Sequence, residues 1–265
     1  MGFYQEKDSS WYYRIYGIVT HLIGIEIYLL MQIVYLCKVA DNVESFSDCL
    51  SVMFTYVALL LKSFIFMYKL QDIKQLIVML EHVIVKGKFM KQQEFSSRVK
   101  QVYSYFKLYW TFGLISCSMG ALIPIYYRNE HKIAYKMWVP FNYEDNFYGF
   151  VAISIYQTIF PLWTCGIIAS LDMLPIMIIN IITGLLEELI KRLKQIGNVT
   201  NNERNELNEL LNCIELHQDL KQLAHKTEEI FTIMIFTQGF NSCFIMCTTA
   251  FVLSLVSHLW CFVNK

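Results

Sequence analysis

Residues 147–186 read FYGFVAISIYQTIFPLWTCGIIASLDMLPIMIINIITGLL, with Asp172 the single charged residue in the stretch. A helix rising ~1.5 Å per residue needs about 20 apolar residues to cross a hydrocarbon layer of ~30 Å. This stretch is longer than one crossing requires, so its helix should project beyond the bilayer. Working outward, four further apolar stretches flank it, at Tyr16–Cys37, Cys49–Tyr68, Leu108–Tyr127 and Ile230–Val263. The first three spans are each close to one crossing, and the last is again longer. The pattern predicts an all-α, polytopic helical membrane protein with five spans and one transmembrane helical domain over residues 1–265.

Composition agrees. The 265 residues are 55% hydrophobic and 17% charged, where a soluble domain usually carries about a quarter charged residues. Net charge is zero, which leaves no basic field for nucleic acid. The segment before the first span mixes Glu6, Lys7, Asp8 and Arg14, and no small-x-small site follows, so that span reads as retained rather than as a cleaved signal.

Eight cysteines, at 37, 49, 117, 165, 213, 243, 247 and 261, show no metal-ligand spacing, and no cofactor is implied. Cys37 and Cys49 flank the first short loop and are placed to bridge if that loop faces outside; unpaired thiols are the plainer reading. Lys and Arg number sixteen in the N-terminal segment and the second and fourth loops, against five on the other side. Basic loops stay cytoplasmic, so the N-terminus is expected in the cytosol. The same topology puts the Asn198-Val199-Thr200 sequon inside, away from glycosylation.

Two loops carry helical stripes. Leu70, Ile73, Leu76, Ile77, Leu80 and Ile84 recur at spacings of three and four, as do Leu207, Leu210, Leu211, Ile214, Leu220 and Leu223. Their polar faces are not strongly basic, which favours long helices packed together in the cytosol over binding to anionic lipid. The third loop differs, with Tyr126, Tyr127, Tyr135, Trp138, Phe141 and Tyr143 among few charges. Such a cluster suits an interfacial belt; a lid over a cavity is the alternative.

Enzymatic motifs are missing from the sequence. His21, Glu26, Lys62, Asp172 and His258 are the ionisable residues within spans, too scattered for a relay. Lys62 lies about two turns from a span end and is placed to snorkel. Pro161 and Pro175 should kink or locally unwind the fourth span. The matching halves of the spans offer Met53, Phe54, Tyr56, Met119 and Ile123, with Phe147–Phe150 and Tyr156-Gln157-Thr158. These either line an apolar cavity for a small hydrophobic ligand or serve as ordinary packing.

Trp138-Val139-Pro140-Phe141, Tyr156-Gln157, Asp172 and the helix Cys213-Ile214-Glu215-Leu216-His217-Gln218-Asp219-Leu220 occur in an order and spacing that resembles the insect odorant receptor family. The resemblance covers the whole chain and about the first two thirds of a family member. It implies a seven-span, ligand-gated cation channel subunit in the plasma membrane, of which the last two spans, including the pore-lining one, have no counterpart in these residues. Conduction by these residues alone is therefore not expected. It also implies a pocket for a small hydrophobic odorant, to which Met53, Phe54, Met119, Ile123, Tyr148 and Tyr156 would contribute. The implied partners are a co-receptor subunit in a hetero-tetramer and the lipid bilayer, with no G protein. A gustatory receptor shares this topology. A transporter would show an internal repeat, and none is evident.

Overall fold

A computed structural model describes residues 11–39, 43–87, 92–196 and 203–263. The N-terminal segment through residue 10, Lys88, Lys91, the Asn198-Val199-Thr200 sequon and Lys265 lie outside the described residues. Among the described residues there is no strand. The helices are α1 (Trp11–His21), α2 (Ile27–Lys38), α3 (Val43–Tyr68), α4 (Leu70–Gly87), α5 (Gln92–Tyr126), α6 (Phe147–Gln195) and α7 (Glu203–Val263). A π-helical turn, Leu22–Glu26, joins α1 to α2, and a 3-10 turn, Arg128–Glu130, follows α5. Among the described residues five helical segments are long and apolar enough to cross a membrane: Ile15–Lys38, Ser45–Tyr68, Ser96–Tyr126, Phe147–Gln195 and Glu206–Ser254. The protein is an all-α, multi-pass membrane protein.

One expectation for the span helices, local unwinding at the prolines of the fourth span, is corrected. α6 runs without a break through Pro161 and Pro175. A proline removes one backbone hydrogen bond, and the Thr164 hydroxyl donates to the Pro161 carbonyl at 3.0 Å, engaging a polar group at that turn. The local unwinding occurs in the first span instead, as the π turn. α5 begins at Gln92, well before the apolar stretch at Leu108, because a polar, amphipathic segment continues the same helix.

The chain forms two compact units. Unit 1 comprises residues 1–67, 110–168 and 234–265; unit 2 comprises 68–109 and 169–233. Unit 2 is an aliphatic helix assembly. Ile73, Leu76, Leu80 and Val83 of α4 are buried, as are Ile178, Ile181, Leu185 and Leu189 of α6. On α7 the buried residues are Cys213, Leu216, Leu220, Leu223, Thr227 and Ile230, alternating three and four apart like a coiled-coil seam. The expected stripe is buried at Leu220 and Leu223, while its first half, Leu207 (57% exposed), Leu210, Leu211 and Ile214, faces outward and Cys213 and Leu216 take the inner face. Both stripes satisfy helical spacing, and tertiary packing selects between them. Arg98 of α5 is tied to Glu187 of α6 at 2.5 Å, and the Asn180 amide reaches the Arg98 carbonyl.

Unit 1 buries Ile25, Tyr28, Tyr56, Leu59, Phe150, Ile153 and Ile167, but also several polar side chains. α3 and α7 run antiparallel along a seam in which Ser51 meets Thr248 at 2.9 Å and Phe54 stacks on Phe244 at 3.8 Å. Further along this seam the Lys62 ammonium donates to the Gln238 side-chain carbonyl. Lys62 is 1% exposed and so does not snorkel. In a span, an interhelical polar contact is the alternative to facing hydrocarbon.

Candidate functional site

The loop after α5 is built by local polar chemistry. Asn146 caps α6, its side-chain oxygen accepting from the Tyr148 and Gly149 amides at 3.0 and 3.4 Å. His131 adopts a left-handed conformation (φ 48) that closes the 3-10 turn, and its ring contacts the Glu144 carbonyl and packs on Phe150 at 4.9 Å. Lys132 pairs with Glu130 at 2.5 Å.

Beyond this turn the chain dips into unit 1. Met137 and Val139 are buried. Gln157 of α6, 2% exposed, bonds the Tyr135 backbone twice, accepting from its N–H at 3.2 Å and donating to its carbonyl at 2.6 Å. The Trp138 N–H donates to the Met31 carbonyl of α2, and the Lys136 ammonium to the Ser45 hydroxyl. One buried amide thus does for an irregular segment what a neighbouring strand would do, satisfying both of its backbone groups.

This segment walls a cavity of about 1250 Å³. Gln32 and Tyr35 of α2, Ser51 and Val52 of α3, Ile123 of α5 and Val252 of α7 supply other walls. Residues 130–137 with Tyr143 and Glu144 form the loop side. The aromatic loop therefore acts as a cavity wall, while Tyr126 (83% exposed) and Phe141 remain outward as belt residues. Burial raises the pKa of both Tyr135 and Tyr143, the latter helped by the Glu144 carboxylate, so both hydroxyls stay neutral donors.

A tyrosine cluster lies in the same unit. Tyr28 stacks on Tyr56 with ring centroids 4.3 Å apart and on Tyr156 at 6.0 Å; Phe160 packs on Tyr156 at 4.7 Å. The Tyr56 hydroxyl meets the Thr164 hydroxyl at 3.5 Å. The Tyr156 hydroxyl donates at 2.8 Å to the Ile23 carbonyl, inside the π turn. A π turn shifts the backbone ladder by one residue, and Tyr156 engages a carbonyl within it. Gly24 sits against Phe160 and Trp163, where an added Cβ would lie 2.8 Å from a Phe160 carbon.

Of the residues expected to line a ligand pocket, Ile123 lines this cavity and Tyr156 belongs to the tyrosine cluster. Phe54 stacks on Phe244 in the α3–α7 seam, and Met53 beside it is half-buried. Met119 (62% exposed) and Tyr148 (83% exposed) face outward and are not brought together with the others. The sequence reading passed over Tyr28 and Gln32, and named Tyr135 as a belt or lid residue and Gln157 as a possible cavity residue without the contact between them. A signal existed in part: Gln32 is an amide within an apolar span, and a search restricted to ionisable groups does not register it. Cys37 and Cys49 are free thiols, Cys49 donating to the Gln32 side-chain carbonyl at 2.8 Å. Among the described residues no group of three His, Cys, Asp or Glu is placed to hold a metal ion.

Comparison with known proteins bears on this architecture. The structure is similar to that of the insect olfactory receptor OR5 from Machilis hrabei, with a TM-score of 0.72 at 15% identity, over 94% of this chain and 65% of that one. The same receptor in complex with eugenol matches with a TM-score of 0.63 at 16% identity and the same coverage. At these identities the likeness shows the fold, and the chain spans 65% of the receptor's length. No curated protein sequence gives a significant match. The sequence profile described as 7tm Odorant receptor matches residues 42–263, a stretch that takes in the cavity wall, the Gln157 anchor and the seam of α7. By that match, over most of its length, the chain belongs to the 7tm odorant receptor family.

Proposed function

We propose that this chain is the ligand-sensing part of an odorant receptor subunit, and that the cavity of unit 1 binds a small hydrophobic volatile. The observation that carries this reading is the cavity of about 1250 Å³ walled by a loop that a buried glutamine holds in place. It mixes apolar and aromatic walls with a few oriented polar groups, as small-molecule sites do. Its volume suits molecules of roughly ten heavy atoms with space to spare. Eugenol, bound by the similar receptor, is of that class. Within the site Ile123 supplies apolar contact, and Tyr156 belongs to the tyrosine cluster of the same unit. Met53, Phe54, Met119 and Tyr148 complete the set read from the sequence and do not line this cavity.

On the basic asymmetry the N-terminus and the loops at Lys69–Lys107 and Lys191–Lys226 would lie in the cytosol and the 127–146 loop outside, and the family likeness favours the plasma membrane. The cavity then opens toward the side from which odorants arrive. Pairing with a co-receptor in a hetero-tetramer would couple the site to a cation pore, and a ligand would shift gating only by its differential affinity for the open state. A gustatory receptor would share the topology and a small-solute transporter would show an internal repeat; neither has a supporting observation here.

The test is odour-evoked current in cells co-expressing the receptor and a co-receptor, across a panel of volatiles. Ile123→Trp, which fills one wall, should shift the order of effective ligands while surface expression is kept. An unchanged ligand order in this and other wall variants would place the site elsewhere.

A further inference from the structure

Outside the cavity, unit 1 carries a second concave surface. An open groove of about 680 Å³ runs between the end of α5 and the first part of α6. Pro124 and Ile125 line it from α5, and Val151, Ile155 and Ile159 from α6. Ser154 and Thr158 also border it, but their hydroxyls donate one turn back, to the Phe150 and Ser154 carbonyls at 2.8 and 2.9 Å. Along its length the groove therefore offers hydrocarbon, with its hydroxyls already committed to the helix backbone.

The end beside the loop is different. Arg128, in the 3-10 turn, is the one charged residue of the lining, and its guanidinium lies over the Phe147 ring at 5.2 Å. Among the described residues no carboxylate pairs with it: Glu130 is taken by Lys132, and Asp145 accepts from the Asn142 amide. Tyr126 and Tyr148, both exposed, lie close by in sequence as belt residues, which sets Arg128 at the depth of the lipid headgroups. From Phe147 to Ile159 the α6 helix advances about 18 Å, close to the ~15 Å that one leaflet contributes to the hydrocarbon layer.

We propose that this groove binds one membrane phospholipid, its phosphate held by Arg128 and one acyl chain lying between α5 and α6. A guanidinium presents a rigid fork of donors that matches phosphate oxygens, and its place over Phe147 orients it in advance. Hydrocarbon walls alone would take any lipid chain. A cation without a carboxylate at the head of the groove adds the preference for phosphate. The site backs on the cavity, since Phe150 lines the groove and packs on His131, which lines the cavity. Lipid binding here does not depend on whether the cavity takes a volatile.

The experiment uses the full chain in phosphatidylcholine nanodiscs, with one of two photoreactive probes added at the same small mole fraction. One is a phosphatidylcholine with a diazirine midway along an acyl chain; the other is the diacylglycerol with identical chains and no phosphate. Crosslinked residues are mapped by mass spectrometry, and labelling at Ile125 and Ile155 is divided by labelling at Met246, an exposed residue of α7. That ratio should be about threefold or more higher for the phosphatidylcholine than for the diacylglycerol. Arg128→Gln should bring the two ratios together, and Ile155→Trp, which fills the groove, should lower both as read at Ile125. Equal ratios in the native chain, or a preference that survives Arg128→Gln, would overturn the phosphate site. Labelling of Met246 with none at Ile125 or Ile155 would show the groove covered by something other than lipid and would overturn it too.

Discussion

Unit 1 and unit 2 are assembled from some of the same helices yet have different interiors. Of the ten polar or charged residues buried among the described residues, nine lie in unit 1 and only Thr227 lies in unit 2. Unit 2 is held by interdigitated aliphatic side chains at heptad-like spacing. Unit 1 is held by committed polar contacts such as Gln157 to Tyr135, Lys62 to Gln238 and Tyr156 to Ile23. Polar groups cost free energy to bury and are kept where position matters. The contrast fits the proposed ligand site in unit 1, with unit 2 an aliphatic packing element.

The largest effect should come from the apolar side of this contrast. Leu223→Ala, at a residue 0% exposed in unit 2, should cost about 2–5 kcal/mol through lost contacts and a residual cavity. Thermal unfolding and surface yield would register it, while receptors that do reach the surface keep their ligand order. A changed ligand order would break the division of labour between the units.

Next in size is Gln157→Leu, which leaves the N–H and carbonyl of Tyr135 without their side-chain partner at a cost of about 2–3 kcal/mol. Amide exchange in residues 131–139 should rise and ligand affinity fall, with exchange in unit 2 unchanged. Uniform loss of protection in both units would show that the loop is not a separable wall.

Smaller again is the Lys62–Gln238 contact. Removing one partner, as in Gln238→Leu, takes a hydrogen bond from a buried ammonium group, whereas Lys62→Met with Gln238→Leu should recover most of the loss. A coupling of about 1–2 kcal/mol in a double-mutant cycle is expected, and strict additivity would deny that the contact matters. The smallest effect is Tyr156→Phe, which frees the Ile23 carbonyl while keeping the ring, at about 1 kcal/mol. It should loosen the π turn in amide exchange with a severalfold change in ligand response.

The sequence made the helical spans legible because length and hydropathy are local properties, and five of them occur as expected. The tuning of interiors was less legible. The α7 stripe at Leu207–Ile214 obeys the same spacing as the buried seam at Cys213–Leu223, and nothing in the periodicity says which faces inward. The π turn at Leu22–Glu26 has no composition of its own; Gly24 under Phe160 and Trp163 makes sense of it only after the helices meet. For the candidate site, Ile123 and Tyr156 could be placed by depth along their spans. Gln32 could not, and the role of Gln157 could not, since an amide's role depends on a partner elsewhere in the chain.

The most direct test of the central claim, that unit 1 holds the ligand and unit 2 does not, is substituted-cysteine protection in intact cells. The native cysteines are replaced in a full-length receptor, and Ile123→Cys on the cavity wall is compared with Leu211→Cys on the outward face of unit 2. The account predicts that a membrane-impermeant thiol reagent labels Ile123→Cys from outside, that an effective volatile slows this labelling severalfold, and that Leu211→Cys is labelled only after permeabilisation and is indifferent to the volatile. Protection at Leu211→Cys with none at Ile123→Cys would contradict it.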